Sequence, residues 1–221
     1  MISVIICAKN ESSGIVEVIN ACSPHCDELI VIDGHSVDNT RELAEKAGAR
    51  VFKDNGKGKG DGIRTGIDVA KGDILVFIDA DLSHEANDIP MLIKPISDHQ
   101  YDLVVASRKL GGSDELHGSI SEFIRLLGSG IITLTINYRF GVRLTDSQNG
   151  FRAVKRSVAQ KLQLKENIFT IEQEMIMKAL KMGYKVTEVP SHEYKRKYGT
   201  SKIVVHRVAH RYVWTLFKYL F

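Results

Sequence analysis

Short runs of apolar residues alternate with helical segments through the first half of the chain. Each run precedes a segment with helical spacing of apolar positions or a glycine-rich loop. This order predicts parallel βαβ units, and the nearly continuous apolar character of the runs predicts a sheet covered on both faces. The strand-like runs are SVIICA (3–8), ELIVIDG (28–34), RVFKD (50–54), DILVFIDAD (73–81) and YDLVVASR (101–108).

The second half has a different pattern. ISEFIRLLGSGIITLTINYRF (120–140) predicts a long apolar helix or a helix pair, and IEQEMIMKALKMG (171–183) predicts an amphipathic helix. GFRAVKR (150–156) predicts a short strand between them. No internal repeat, low-complexity tract or linker divides the sequence. We therefore expect one α/β domain over residues 1–202, followed by a C-terminal amphipathic helix over residues 203–221.

Composition excludes several classes of protein. Among the 221 residues, 43% are hydrophobic and 26% are charged, which is typical of a globular protein with a substantial core. The net charge of +3 is small and no long basic tract is present, so nucleic acid is not an expected partner. Three cysteines predict a reduced, intracellular chain rather than a disulfide framework. No uncharged apolar stretch approaches the ~20 residues of a membrane span.

Polar residues stand at the predicted carboxyl ends of the strands, where open α/β sheets bind their ligands. The most distinctive group is FIDADLSH (77–84), in which Asp79 and Asp81 follow a buried run. Because residues i and i+2 of a strand point to the same side, we expect both carboxylates to converge. Such oxygen ligands suit Mg²⁺ or Mn²⁺, with substrate phosphates completing the coordination. A solvated turn is the alternative, because aspartate is common after strands.

Two glycine patterns exclude common nucleotide-binding motifs. The turn CAKNESSG lacks the GxGxxG of a dinucleotide-binding fold, and NGKGKGDG lacks the GK[ST] of a P-loop. In the second loop, Lys57 and Lys59 either approach a phosphate or a nucleobase, or lie in solvent. The segment CSPHC (22–26) has no second Cys/His pair at zinc spacing, so we expect a surface turn with a buried thiol there.

These blocks together resemble glycosyltransferase family 2, whose members have the GT-A fold. SVIICAKNE is similar to the family's opening strand and NE turn, and VIDGHSVDNT is similar to its VDGGSTDGT-type loop. GKGDGIRTGIDVAKGDILVFIDADLSH resembles the GKG, helix, strand and DxD block. In the second half, four segments resemble the polyprenyl-phosphate sugar transferases, which include dolichyl-phosphate mannose and glucose synthases. They are ASRKLGG (106–112), TDSQNGFRAVKR (145–156), EVPSHEY (188–194) and RKYGTSK (196–202).

The resemblance implies an α/β, GT-A nucleotide-diphospho-sugar transferase fold with a mostly parallel sheet flanked by helices. It implies a metal-dependent, inverting enzyme with Mg²⁺ or Mn²⁺ as cofactor. The reaction would move mannose or glucose from GDP-mannose or UDP-glucose to a polyprenyl (dolichyl) phosphate. A family 2 transferase that acts on a soluble or polysaccharide hydroxyl is the alternative. The expected location is cytoplasmic, peripheral at the cytoplasmic face of a membrane.

The resemblance also implies residues for the donor and the metal. Asp79 and Asp81 would bind the metal and the diphosphate. Ser83 stands where the subgroup often has a metal-binding Gln, so either water or Ser83 itself would complete the coordination. The glycine-rich loop adds Lys59 as a further donor-binding candidate. The implied donor-binding residues are Ala8, Asn10, Glu11, Asp33, Asp79, Ala80 and Asp81.

Four cations are implied for the phosphates. Arg196 and Lys202 would reach the donor diphosphate or the acceptor phosphate, and Arg108 and Arg125 would face the acceptor phosphate. Because a phosphate acceptor is already an anion, the reaction does not strictly require a general base.

The segment TDSQNGF is implied near the transferred sugar. It contributes Asp146, Gln148 and Asn149, and it mixes features of mannosyl- and glucosyl-transferring subgroups, so the sugar stays open. Asp146 is a catalytic candidate that would serve as a base, contact the sugar or support the structure.

Two helical segments are candidates for membrane contact. In residues 203–221, cations share one side of the predicted helix with Trp214 and Phe217, which suits an anionic headgroup region. The alternative is a helix docked on its own domain with a solvated basic face. The apolar helix at 120–138 would guide a prenyl tail along a membrane, form ordinary core, or form a dimer interface.

Overall fold

The computed structural model describes residues 1–114, 120–198 and 205–220. Within these residues, seven strands form one sheet in the order β3-β2-β1-β4-β6-β5-β7. The strands are β1 (Ile2–Ala8), β2 (Glu28–Asp33), β3 (Arg50–Lys53), β4 (Ile74–Asp79), β5 (Leu103–Ser107), β6 (Arg152–Lys155) and β7 (Val186–Pro190).

The sheet is mostly parallel, as the sequence predicts. β1 pairs in parallel with β2 and β4, β2 with β3, and β5 with β7. The predicted short strand at 150–156 is β6, which runs antiparallel between β4 and β5. The mixed α/β architecture with a mostly parallel sheet is therefore confirmed.

Helices cover both faces of this sheet. They are α1 (Ile15–Cys22), α2 (Thr40–Lys46), α3 (Lys59–Val69), α4 (Ile89–Ser97), α5 (Arg108–Gly111), α6 (Ile120–Phe140), α7 (Arg156–Lys161), α8 (Ile171–Lys181) and α9 (Val205–Leu220). Alternate residues of each central strand belong to two separate apolar clusters. In β4, for example, Leu75 and Phe77 join one cluster, whereas Val76 and Ile78 join the other. The continuous apolar runs of the sequence thus reflect burial on both faces.

The C-terminal helix α9 packs against α8 and α6. Leu216, Tyr219 and Leu220 of this helix are buried in the same apolar cluster as α8. Lys218 Nζ also lies 2.8 Å from Glu166 Oε1. The boundary that the sequence predicts at residues 202 and 203 stays a prediction, but part of α9 contributes to the domain core.

The long segment 120–140 forms a single helix, α6. Its inner side packs into the core through Ile132 and Ile136. No helix in the described parts of the chain combines the length and apolar character needed to cross a membrane.

Candidate active site

A cavity of about 430 Å³ lies where the carboxyl ends of β1, β2 and β4 meet. This is the edge at which the sequence places its polar residues, and at which parallel sheets bind ligands. Helices close the other sides of the cavity. α3 contributes Lys59, α6 contributes Arg125, α8 contributes Glu172 and α9 contributes Tyr212.

Most of the predicted site residues line this cavity. They are Ala8, Glu11, Lys59, Asp79, Ala80, Asp81, Ser83, Arg108, Arg125, Gln148, Asn149 and Arg196. Lys202 lies outside the described residues. Asn10, Asp33 and Asp146 are absent from the described lining of the cavity.

Asn10 and Asp33 support the turn that follows β2. Asn10 Oδ1 accepts a hydrogen bond from Val37 N at 2.9 Å, and Asp33 Oδ1 accepts one from Ser36 N at 3.2 Å. The structure therefore gives both side chains a role in shaping the turn beside the cavity. Their direct contact with a donor remains a prediction.

The acidic pair is arranged differently from the expected strand alternation. β4 ends at Asp79, and Asp81 lies in the following turn, where Leu82 has a φ of 60°. The prediction that strand geometry aligns the two carboxylates was therefore wrong, although both line the cavity. Each has its own cation, because Lys59 Nζ lies 2.6 Å from Asp79 Oδ1 and Arg196 Nη1 lies 3.3 Å from Asp81 Oδ2.

Lys59 joins the acidic pair to helix α8. Its ammonium lies 3.0 Å from Glu172 Oε1 as well as against Asp79. Neither oxygen of the buried Glu172 receives a well-aligned hydrogen bond within the described residues. The ion pair with Lys59 is therefore the main interaction that offsets the cost of burying this carboxylate. Burial alone would lower the pKa of Lys59, but the two carboxylates raise it above the ordinary value. Lys59 is thus firmly protonated.

The carboxylates of Asp79 and Asp81 fit a divalent cation of the hard, oxygen-binding type. Among the residues that the structure describes, no third Asp, Glu, His or Cys converges with them, so other oxygen ligands would have to come from water or substrate. A Cβ at Gly150 would lie 3.0 Å from Asp79 Oδ2, so the glycine keeps this oxygen accessible. This donor set suits Mg²⁺ or Mn²⁺ carrying phosphates.

Ser83 holds the second carboxylate in position. Its amide and its hydroxyl both donate to Asp81 Oδ1, at 3.1 and 2.7 Å. The side chain is buried within the cavity wall. Ser83 therefore orients Asp81, and its expected coordination of a metal remains a prediction.

Arg108 and Asp146 form a second charged group beside the cavity. Nε and Nη2 of Arg108 donate to the two oxygens of Asp146 at 2.6 and 3.0 Å. Nη1 of Arg108 donates to Glu193 Oε1 at 3.3 Å. Burial would raise the pKa of Asp146, but the Arg108 charge holds it below its ordinary value. The geometry supports Asp146 as the residue that positions Arg108, and its role as a base remains a prediction.

The segment after β7 runs beside the turn that carries the acidic pair. Tyr194 N donates to Ser83 O at 2.8 Å, and Lys197 N donates to Asp81 O at 3.3 Å. His84 forms an isolated β-bridge with Glu193 on the same segment. These contacts bring Arg196 to Asp81, although the two are far apart in the sequence.

Several residues of the cavity were missed by the sequence analysis, among them Asp54, His84, Glu172, Glu193 and Tyr212. Glu172 offered a signal, because an acidic residue on the buried face of an amphipathic helix requires a partner. Asp54 also offered one, because it is the last residue of a predicted strand. For Tyr212 there was no such signal, since only the packing of α9 brings it to the cavity.

Residues 3–163 match the profile of the family described as Glycosyl transferase family 2. The chain belongs to this family. It is 34% identical over 196 residues to glycosyltransferase AglJ of Haloferax volcanii, in an alignment that covers 86% of this chain and 62% of AglJ. It is 25% identical over 194 residues to the low-salt glycan biosynthesis hexosyltransferase Agl6 of the same organism, covering 86% of this chain and 46% of Agl6. The chain thus spans less than two thirds of the length of these curated relatives.

Solved structures share the fold of this chain. Glucosyl-3-phosphoglycerate synthase from Mycobacterium tuberculosis, in complex with Mn²⁺, UDP-glucose and phosphoglyceric acid, superposes with a TM-score of 0.81 at 23% sequence identity. The match covers 100% of this chain and 79% of that chain. At this identity the similarity establishes the fold, and it confirms the GT-A architecture that the resemblance implied.

Proposed function

We propose that this chain is a glycosyltransferase that moves a hexose from a nucleotide diphosphate to a polyprenyl phosphate, with inversion at the anomeric carbon. The observation that carries the proposal is the convergence of the acidic pair with Lys59, Arg196 and Arg125 in one cavity at the sheet edge. Asp79 and Asp81 would hold the cation, and the basic side chains would meet the phosphates. Membership of family 2 supports the transferase activity.

On the donor side, the proposed reaction releases a nucleoside diphosphate. Departure of the nucleotide places negative charge on the β-phosphate, and Lys59 and Arg196, which pair with Asp79 and Asp81, would stabilise it. Mg²⁺ or Mn²⁺, when bound by the aspartates, would add Lewis-acid stabilisation of the same charge. Glu11 of the NE turn lines the cavity and would face the nucleoside.

On the proposed acceptor side, an exposed apolar surface begins next to the cavity. Arg125 lines the cavity, and the next turns of α6 expose Leu127, Ile131, Leu134 and Tyr138 along one stripe. The fractional exposure of these side chains rises from 50% to 92% along the helix. A lipid phosphate at Arg125 could therefore extend its tail along this stripe. Such a continuous apolar stripe is unusual on a surface that faces only water.

A second exposed group lies on α9, which packs against α6. Val213, Trp214 and Phe217 are 51%, 69% and 59% exposed, while His210 and Arg211 beside them are also exposed. Aromatic and basic side chains on one helix suit an anionic membrane surface. These features support a polyprenyl acceptor and a peripheral position at a membrane.

The test is transfer from labelled GDP-mannose and UDP-glucose, with Mn²⁺, to a polyprenyl phosphate in phospholipid vesicles. We expect a labelled product that extracts into organic solvent with one of the two donors. Asp79→Asn should abolish it, whereas Asp68→Asn, an exposed residue on α3, should not. Equal turnover by the wild type and Asp79→Asn would contradict the metal-centred site.

Transfer to a hydroxyl acceptor is a second candidate, because the carboxylate of Glu193 lines the cavity beside Arg108. A hydroxyl acceptor needs a base, whereas a phosphate does not. In that case a labelled water-soluble product would form without lipid. Glu193→Gln would then remove the acidic limb of its pH–rate profile.

A further inference from the structure

Asp54 is a buried carboxylate that faces the cavity at the end opposite the acidic pair. It directly follows β3, and its amide donates to Asp33 O at 3.2 Å, which aligns it with the end of β2. The residue is 8% exposed and lines the cavity. A carboxylate buried to this degree normally has its oxygens paired.

One carboxylate oxygen of Asp54 accepts a hydrogen bond within the protein, and the other is available to a ligand. Oδ1 accepts from Gly56 N at 2.8 Å and lies 3.4 Å from His35 Nε2. Oδ2 receives no hydrogen bond from any residue that the structure describes. It lies 3.7 and 3.6 Å from where a Cβ would stand on Gly34 and Gly62. Neither glycine places a side chain of its own against the available oxygen, although Lys9, Cys7 and Ile32 stand nearby.

Hydrogen bonds to Asp61 hold the loop that carries Asp54 in place. Asp61 Oδ2 accepts from Asn55 N at 2.8 Å, and Asn55 Nδ2 donates to Asp61 Oδ1 at 3.2 Å. Gly56 and Gly58 adopt φ values of 75° and 115°, which favour glycine. Because this turn is held by several contacts, Asp54 presents its carboxylate in a defined position.

The strand order places Asp54 and Asp79 along the same edge of the sheet. Asp79 ends β4, Ala8 ends β1, Asp33 ends β2 and Asp54 follows β3, and these strands are consecutive neighbours in the sheet. Three strand spacings separate the two ends, about 14 Å in total. An extended nucleoside diphosphate with its phosphates at Asp79 would therefore place its base close to Asp54.

We propose that Asp54 recognises the nucleobase of the donor by accepting a hydrogen bond from a ring N–H. Uracil N3 and guanine N1 carry such a hydrogen. The corresponding ring nitrogens of cytosine and adenine carry lone pairs, which would face the carboxylate oxygen unfavourably. The site therefore selects uridine or guanosine diphosphates over cytidine or adenosine diphosphates. This inference rests on the proposed function, and it narrows the donor to one chemical class.

The test is the binding of UDP, GDP, CDP and ADP in the presence of Mn²⁺, measured by titration calorimetry. We expect UDP or GDP to bind at least about tenfold more tightly than CDP and ADP, as for the loss of one hydrogen bond to a charged group. Asp54→Asn keeps the shape and an oxygen for Gly56 N, but its amide can donate to a base. It should reduce this preference to about threefold or less, mainly by weakening the preferred nucleotide.

The control is Asp68→Asn on the exposed side of α3, which should retain the wild-type preference. Circular dichroism melting of both variants checks that the fold is retained. If Asp54→Asn weakened all four nucleotides equally, the carboxylate would contact ribose and the inference would be wrong. An unchanged preference in Asp54→Asn would also contradict it. Failure of the wild type to bind any of the four would contradict the proposed function, and this inference with it.

Discussion

Lys59 Nζ lies 2.6 Å from Asp79 Oδ1, and the same ammonium lies 3.0 Å from Glu172 Oε1. One cation thus joins the end of β4 to helix α8 at the centre of the candidate site. Because all three groups are largely removed from water, the arrangement depends on every member being present. The sequence presented Lys59 as one of two solvated or phosphate-binding lysines, and the structure gives it this additional role.

Removal of the Lys59 charge should destabilise the fold. Lys59→Met leaves Asp79 and Glu172 without their shared cation, and we expect a loss of about 3–5 kcal/mol in the free energy of unfolding. Urea denaturation followed by circular dichroism measures it. Lys71→Met, at an exposed position, should change this free energy by less than about 0.5 kcal/mol. A similar small effect for Lys59→Met would mean that the ion pairs contribute little.

Asp146→Asn tests whether Asp146 positions Arg108 or acts as a base. The substitution weakens the bidentate contact that holds Arg108, so we expect kcat to fall by up to about a hundredfold through misplacement. The acidic side of the pH–rate profile should keep the wild-type shape, because no catalytic proton acceptor is lost. Arg108→Lys should have the same phenotype, since lysine cannot form the bidentate pair.

The control for this experiment is Asp102→Asn, which breaks an ion pair with Lys155 at the opposite, amino end of β5. It should leave kcat nearly unchanged. If Asp146→Asn removed the acidic limb while Arg108→Lys retained it, the base assignment would be correct.

Trp214 offers a direct probe of the surface on α9. It is the one tryptophan of the sequence and its side chain is 69% exposed. Anionic phospholipid vesicles should shift its fluorescence to the blue and should sediment the protein. Phe217→Ser should reduce binding by about tenfold or more, because burial of an aromatic side chain is lost. The stability of the fold should stay nearly unchanged.

Met91→Ser is the matched control for this surface, because Met91 is an exposed apolar residue on α4. It should bind vesicles as the wild type does. Sedimentation equilibrium in the absence of lipid tests the alternative, which is self-association through this surface. A dimer that Phe217→Ser converts to a monomer, together with no vesicle binding, would assign this surface to self-association.

The carboxyl group of Asp38 should make the free energy of unfolding depend on pH in the acidic range. Burial would raise its pKa, but hydrogen bonds from Thr40 and Ser12 outweigh this and lower the pKa to about 2. A carboxyl whose pKa is lowered on folding stabilises the protein above its unfolded pKa of ~3.9, and this contribution is lost as the pH falls towards 2. Asp38→Asn should therefore cost about 1 kcal/mol at pH 7.

Urea denaturation across the acidic range checks this prediction. The difference in the free energy of unfolding between the wild type and Asp38→Asn should shrink as the pH falls from about 4 to about 2. Asp68→Asn serves as the exposed control and should show a small difference throughout. A difference for Asp38→Asn that is constant with pH would contradict the charged role of this carboxyl.

The sequence by itself determined the sheet, its covered faces and the edge at which the site lies. These features are local, because a continuous apolar run of five or six residues is compatible with a buried strand and with little else of that length. The run at 3–8 lies within β1, and the runs at 28–34, 50–54 and 101–108 contain β2, β3 and β5. The acidic pair, which begins at the last residue of β4, was recognisable for the same reason.

The tertiary structure decided which polar side chains face the cavity and which support it. Asp33 and Asp146 both match the motifs from which we expected site residues. In the structure, Asp33 accepts a hydrogen bond within the turn after β2, and Asp146 pairs with Arg108. Glu172 and Tyr212 enter through helices α8 and α9, far along the chain from the strands they approach. Local periodicity places a side chain on a face of its own element, but the neighbour opposite that face is set by the packing of distant elements. Only the assembled fold therefore brings these charges and rings together.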